Sequence, residues 1–345
     1  TADSRCQALL GRRGNMNIES IVERALCDEL FTVCEIGYLE GGKRSIRRWG
    51  ERRERLFDLA SLTKLFTTAV TLSLIDRGVL SLSSGVSSLL PIASGSLRKR
   101  LAPITVSQLL THHSTLPAWH PFYVHATMDF YAALETALTA EGASSGMCYS
   151  DLNYMLLAQI IEEHTHMSLE SAIKTLIIEP FGLDDTTYHP DPSHCVPTEW
   201  GNRIERKMVE ERNLSFDGWR EEGRAIQGEA DDGNAFYYFG GTAGHAGLFS
   251  STDDLLTFAS RFLDGFISET LKVFTDWGDT RGLGCHSGEL FPCNGWGHTG
   301  FTGTYLYVNP TDNRVLTILT NRLNVPDPRS NHEFRIAIAR ACLAC

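Results

Sequence analysis

Residues 57–74 read Phe57-Asp-Leu-Ala-Ser61-Leu-Thr-Lys64-Leu65-Phe-Thr-Thr-Ala-Val-Thr-Leu-Ser-Leu74. Side chains three apart on a helix are neighbours, so Lys64 is set against the Ser61 hydroxyl, where it can take or stabilise its proton. The Ser-x-x-Lys spacing alone decides nothing. Of the six lysines (43, 64, 99, 174, 207 and 272), three have serine at −3: Ser61/Lys64, Ser96/Lys99 and Ser171/Lys174. Context separates them. Ser96 lies in the polar run Ser-Gly-Ser-Leu-Arg-Lys-Arg, where a lysine stays hydrated, and Ser171 falls on the polar side of an amphipathic helix. Only Ser61 opens an apolar run. A serine at the start of a buried helix sits on unpaired backbone N–H groups that favour negative charge. Burial also predicts a lysine pKa lowered toward the range of a base.

Outward from this stretch, the chain reads as helix plus strands at both ends and helix in the middle. Residues 16–30 place apolar side chains at helical spacing. Residues 31–38 read as a buried strand, Gly41-Gly42 as a turn and residues 45–49 as the return strand. From 61 to about 267 the pattern is mostly helical. Strand patterns return at 304–308 and 314–320 around the turn Asn309-Pro-Thr-Asp-Asn313, and a last helix spans 330–343. The expected fold is α/β (α+β): terminal strands pair into one antiparallel sheet flanked by terminal helices, with an inserted helical lobe and a cleft between lobes.

Composition narrows the function. With 345 residues, 42 % hydrophobic and 21 % charged, the chain is globular. The apolar region at 56–80 is broken by Lys64, Asp76 and Arg77, so no bilayer span is expected. A net charge of −11 argues against nucleic-acid binding. The one basic cluster, 43–55, is diluted by Glu51 and Glu54 and reads as a solvated hairpin face. Nine cysteines at irregular positions make a poor disulfide framework and favour a reducing, cytoplasmic compartment. The first residues, Thr-Ala-Asp-Ser-Arg, lack the apolar core of a signal peptide. No initiator Met precedes them, so a periplasmic or secreted location after leader removal stays open.

Other chemistry is weaker. Gly142-Ala-Ser-Ser-Gly146 fits a nucleophile elbow, but a helix pattern rather than a strand precedes it. There is neither HExxH nor a phosphate-binding GxxxxGK[ST], and Cys342-Leu-Ala-Cys345 is a single CxxC without a second ligand pair. His164 and His166 read as exposed polar residues, His112 and His113 as structural, and His245 as a loop histidine bonded to backbone. No cysteine stands at a buried helix start beside Lys or His.

Phe57-Asp-Leu-Ala-Ser61-Leu-Thr-Lys64 resembles the first motif of the penicillin-recognising serine hydrolases: β-lactamases, DD-peptidases and related esterases. Tyr149-Ser-Asp151 resembles the Tyr-x-Asn element of the class C branch, and His298-Thr-Gly300 the Lys-Thr-Gly strand motif in a His-Thr-Gly form. Residues 104–117, 179–185, 244–254 and 319–322 also have family counterparts, so the resemblance spans about 20–343.

The resemblance implies one catalytic domain over 16–345. An α/β lobe takes about 16–60 plus 268–345, a mainly helical lobe about 61–267, and residues 1–15 form an N-terminal extension. It implies acyl transfer without metal or cofactor on a small-molecule or peptidoglycan-like substrate. Ser61 would be the nucleophile, Lys64 would ease its deprotonation, and Tyr149 would pass protons to the leaving group. Its strand position is filled by His298. Asp151, Thr299, Gly300 and Phe301 would contact substrate, with the Ser61 and Phe301 N–H groups as oxyanion hole.

Two positions depart from the pattern. Asp151 replaces an amide that can donate, and as a carboxylate can instead hold Lys64 charged. His298 replaces a lysine and is mostly neutral at pH 7, which weakens recognition of a substrate carboxylate. Both favour an esterase or DD-peptidase-like relative over an efficient β-lactamase. A class C-type lactamase and a non-catalytic binding or scaffold protein are the alternatives. Retention of Ser61, Lys64 and Tyr149 speaks for an enzyme.

Overall fold

The structure is a computed structural model, and it describes residues 17–50, 55–266 and 280–343. The 1–15 extension, Glu51, Glu54 and Cys345 of the CxxC lie outside the described residues.

A five-stranded sheet runs in the order β2-β1-β7-β6-β5, with every pair antiparallel. It consists of β1 (Cys34–Glu40), β2 (Lys43–Trp49), β5 (Trp296–Thr299), β6 (Tyr305–Asn309) and β7 (Arg314–Thr320). The ends of the chain meet where β1 pairs with β7, from Cys34 opposite Thr320 to Glu40 opposite Arg314. Period-2 alternation sends the side chains of β1, β6 and β7 to two different cores. Val315 and Leu319 of β7 join one large apolar cluster, whereas Leu316 and Ile318 join a second.

Two helices, α1 (Ile18–Cys27) and α7 (His332–Leu343), cover the second face, burying Val22, Ala25, Phe334 and Ile338 against Tyr305 and Tyr307. On the first face lies α6 (Thr252–Leu263). Gly37 lets α6 approach: a Cβ there would lie 2.5 Å from Thr252 Cγ2 and 2.6 Å from Thr317 Oγ1. The basic cluster forms β2, an exposed edge strand whose lysine and arginines oppose edge-to-edge association. Gly41 and Gly42 both take positive φ in the two-residue turn that joins it to β1.

Between β2 and α6 the chain is mainly helical: α2 (Thr63–Asp76), α3 (Phe130–Glu141), α4 (Asp151–Thr165), α5 (Arg203–Glu210) and several shorter turns. Residues Thr63 to Leu74 of α2 are all buried, as expected for a helix packed on every side. A two-residue pair, β3 (Phe57–Asp58) with β4 (Phe249–Ser250), ties the approach to α2 onto the approach to α6. No helix among the described residues is long and apolar enough to cross a membrane.

The cysteine reading needs correction. Cys27 and Cys293 are disulfide-bonded, whereas Cys34, Cys148, Cys195, Cys285 and Cys342 are free thiols. Irregular spacing in the sequence did not reveal these bonds. The segment 142–146 is a loop directly after α3, without the strand an elbow requires. Of the two neighbouring histidines, His166 is exposed at the α4 terminus, but His164 is partly buried and bonds the Leu89 carbonyl at 3.1 Å.

Candidate active site

Ser61 lies in a 3-10 turn (Ala60–Leu62) that feeds directly into α2. The turn is held under tension. Ala60 has φ +45°, a region that costs a non-glycine residue about 1 kcal/mol or more. Its N–H donates to Asp58 Oδ1 at 2.8 Å, and Asp58 Oδ2 accepts the Asp231 N–H at 2.7 Å. From the sheet, Thr302 Oγ1 donates to the Asp58 carbonyl (2.7 Å) and Thr304 Oγ1 to the Leu59 carbonyl (3.0 Å). Gly300 permits this docking, since a Cβ there would lie 2.0 Å from Thr304 Oγ1 and 2.5 Å from the Leu59 oxygen. The turn and the strand motif are thus fastened to each other by backbone-directed hydroxyls.

One helical turn on, Lys64 is fully buried. Its Nζ donates to Ser61 Oγ at 2.9 Å and to the His245 carbonyl at 3.0 Å, and pairs with Asp151 Oδ1 at 2.7 Å. All three ammonium hydrogens therefore have acceptors. Burial pulls the lysine pKa down, but the Asp151 carboxylate, followed by Tyr149, outweighs it and the net shift is upward. This corrects the expectation of a lowered pKa, which considered burial without its counter-charge.

Tyr149 precedes α4, with its ring centroid 5.0 Å from Lys64 Nζ. His112 brackets it: the Cys148 N–H donates to the His112 carbonyl and the Ser150 N–H to His112 Nδ1, both at 3.0 Å. The two rings lie 4.5 Å apart. Burial holds His112 well below the usual imidazole range, so its Nδ1 remains an acceptor. His112 is structural as expected, but what it shapes is the Tyr149 segment.

His298 on β5 is buried, and burial, then His286, Lys64 and Arg281, keep its pKa well below 6.5. Its Nδ1 bonds the Thr299 carbonyl at 2.8 Å. The other nitrogen, Nε2, is buried without a hydrogen-bond partner among the described residues. A cleft of about 510 Å³ brings Ser61, Tyr149, Asp151, His298, Thr299, Gly300 and Phe301 together, with Lys64 beneath.

His245 departs from its expected backbone bonding. Its buried ring bonds Asp232 Oδ1 through Nε2 at 3.0 Å, because a carboxylate is the acceptor within reach. His113 bonds Thr111 Oγ1 at 3.0 Å. Sequence reasoning missed Asp58, Glu199, Glu205, Asp231 and Asp232. The available signal was a single acid, Asp58, set between Phe57 and Leu59 just before the nucleophile.

The sequence matches the Beta-lactamase family over residues 35–341. It is 30 % identical over 331 residues to an N-acetylmuramyl-L-alanine amidase of Bacillus subtilis (strain 168), covering 84 % of this chain and 74 % of that protein. It is 28 % identical over 317 residues to a putative D-alanyl-D-alanine carboxypeptidase of Escherichia coli (strain K12), covering 80 % and 71 %. The fold superposes on a class C beta lactamase from Rhodobacter sphaeroides with a TM-score of 0.68 at 21 % identity, covering 95 % and 98 % of the two chains. The chain belongs to the beta-lactamase family and is an enzyme of that serine hydrolase superfamily.

Proposed function

We propose that the protein hydrolyses an ester or a D-amino-acid amide bond through an acyl-enzyme on Ser61, and that β-lactams are poorer substrates. The contact that carries this reading is the 2.9 Å bond from the buried Lys64 ammonium to Ser61 Oγ.

With Asp151 holding it charged, Lys64 acts as a fixed cation that stabilises the Ser61 alkoxide. Tyr149 takes the Ser61 proton and returns it to the leaving group. Ser61 Oγ bonds the carbonyl carbon, the bond to the leaving oxygen or nitrogen breaks, and water then splits the acyl ester. The N–H groups of Ser61 and Phe301 polarise the carbonyl, and that of Phe301 has no partner among the described residues. Thr299 and Gly300 line the substrate strand. His298, neutral and with Nε2 open as an acceptor, takes a hydrogen bond from substrate and supplies no cation for a carboxylate. That charge difference favours esters and amides over β-lactams. The kinship to a protein named D-alanyl-D-alanine carboxypeptidase supports an amide substrate.

A fluorescent fluorophosphonate should label the wild type and leave Ser61→Ala unlabelled; equal labelling overturns the nucleophile assignment. Short p-nitrophenyl esters should turn over faster than a chromogenic cephalosporin, and the reverse order would make the protein a lactamase.

A further inference from the structure

One wall of the cleft is acidic. Glu199, Glu205, Asp231 and Asp232 line the same cavity as Ser61. Asp58 ties Asp231 to the nucleophile turn, its two oxygens taking the N–H groups of Ala60 and Asp231.

Three of these acids already have donors. Glu205 accepts the Tyr123 hydroxyl at 2.8 Å and the Gly233 N–H at 2.7 Å. Glu199 accepts the Ile204 N–H at 3.1 Å and lies 3.6 Å from Arg203 Nε. Asp232 Oδ1 serves the Ala235 N–H and the His245 ring. Asp231 accepts from Thr198 but differs in one atom: its Oδ1 is buried without a hydrogen-bond partner among the described residues, in a residue only 4 % exposed.

The nearby cations do not fill that gap. Arg220 spends its guanidinium on Glu229, Asn202 and the Ala230 carbonyl, and Arg322 donates to the Arg329 carbonyl. Burial pushes Asp231 up to about 6, with Arg220 offsetting part of the rise and Asp232 adding to it, and burial joined by Asp231 pushes Glu199 up to about 8. A buried acceptor left unmade costs free energy that an incoming donor recovers, and a cation would also relieve the repulsion. Among the described residues no three acidic, histidine or cysteine side chains converge to hold a metal ion. A compact ammonium needs no such convergence.

We propose that this wall, centred on Asp231, binds an ammonium group carried on the acyl side of the scissile bond. The substrate is then an amino-acyl amide or ester whose amine is free, either at the α-carbon or at the end of a lysine-like side chain. This inference rests on the acyl-enzyme reading for its chemistry: Ser61 Oγ bonds the carbonyl carbon, the C–N or C–O bond breaks, the leaving group takes a proton, and water releases the amino acid. The ammonium stays on the acyl fragment throughout.

Binding to Ser61→Ala measured by calorimetry tests recognition without requiring turnover. The probes are D-phenylalaninamide, N-acetyl-D-phenylalaninamide and Nα-acetyl-D-lysinamide. At least one ammonium-bearing probe should bind on the order of ten- to a hundredfold tighter than the neutral one, as expected for hydrogen bonds to a charged group. The first probe reports an α-amine and the third a side-chain amine. In the Ser61→Ala background, Asp231→Asn should remove that preference; Asp232→Asn should reduce it and stands in if the first variant does not fold. Equal binding of charged and neutral probes, no binding of any probe, or a preference unchanged in the Asp231 and Asp232 variants would overturn the proposal. Loss of ammonium preference while Ser61 still labels in otherwise wild-type protein leaves the acyl-enzyme reading standing. Absent labelling fails that reading alone.

Discussion

Asp151 Oδ1 lies 2.7 Å from Lys64 Nζ, a carboxylate placed on the one lysine among the described residues that is completely enclosed. The pair reverses what burial alone would do to the lysine, and the upward shift keeps it a cation beside Ser61. In Asp151→Asn that counter-charge is gone, so burial dominates and the lysine pKa falls. The alkaline limb of kcat/KM should then move to lower pH as Lys64 loses its proton earlier. An unmoved limb in a stopped or continuous ester assay would contradict the cationic role.

Tyr149 offers a second test. If its phenol relays the proton, Tyr149→Phe should lower kcat/KM by about 10²- to 10⁴-fold, the usual span of a general acid–base group. His112, which holds the residues on both sides of it, acts only by positioning. His112→Ala should lower kcat more than it changes KM and leave the pH limbs in place.

Gly300 provides a steric test. Gly300→Ala forces a methyl against Thr304 Oγ1 and the Leu59 oxygen, pushing the strand away from the nucleophile turn. The expected cost is about 1–3 kcal/mol of stability, as for other overpacked sites, with a marked loss of kcat. Adding Thr304→Ala removes only the first of the two clashes, so it should not restore activity.

Stability should fall across neutral pH. Burial, before any repulsion, raises Asp58 to about 7 and Glu199 to about 8. Both folded values lie above those of the unfolded chain, near 4. The folded state therefore keeps protons that the unfolded state has shed, and stability declines as pH rises toward the folded values. His112, His298 and His286 act oppositely: burial first lowers all three, His286 to about 3 with Arg281 next, which favours the folded state as pH rises to about 6.5. Above that they are neutral in both states. Tm should accordingly drop from about pH 6.5 to above 8, with a shallower slope in Glu199→Gln. A flat or rising Tm over that range would show that the buried acids are not protonated as described.

Much of this was legible in the residues. Short apolar runs placed β1, β6 and β7 within two or three residues, because turn signals rich in Gly, Pro or Asn bound them. The four-residue β5 escaped the pattern reading, since Trp-Gly-His-Thr carries no alternation, and was found only through its motif. Ser61, Lys64, Tyr149 and His298 were legible because local spacing and ordered motifs mark them. The acidic wall was not. Glu199, Glu205 and Asp231 look like ordinary surface acids in sequence, and only tertiary packing brings them to one cleft wall, with Asp231 held by Asp58. The partner of His245 was hidden for the same reason, as Asp232 approaches it from another loop.

The pairing of β1 with β7 has a consequence for biogenesis. Cys34 meets Thr320 across 286 residues of sequence, so the β1–β2 hairpin has no inner neighbour until β7 is made. Contacts of such long sequence separation close slowly. Thr302 and Thr304, which pin the nucleophile turn, belong to that late segment. A nascent chain stalled before β5 can bury α2 but cannot seat Ser61, which defers assembly of the reactive serine until Thr302 and Thr304 have been made.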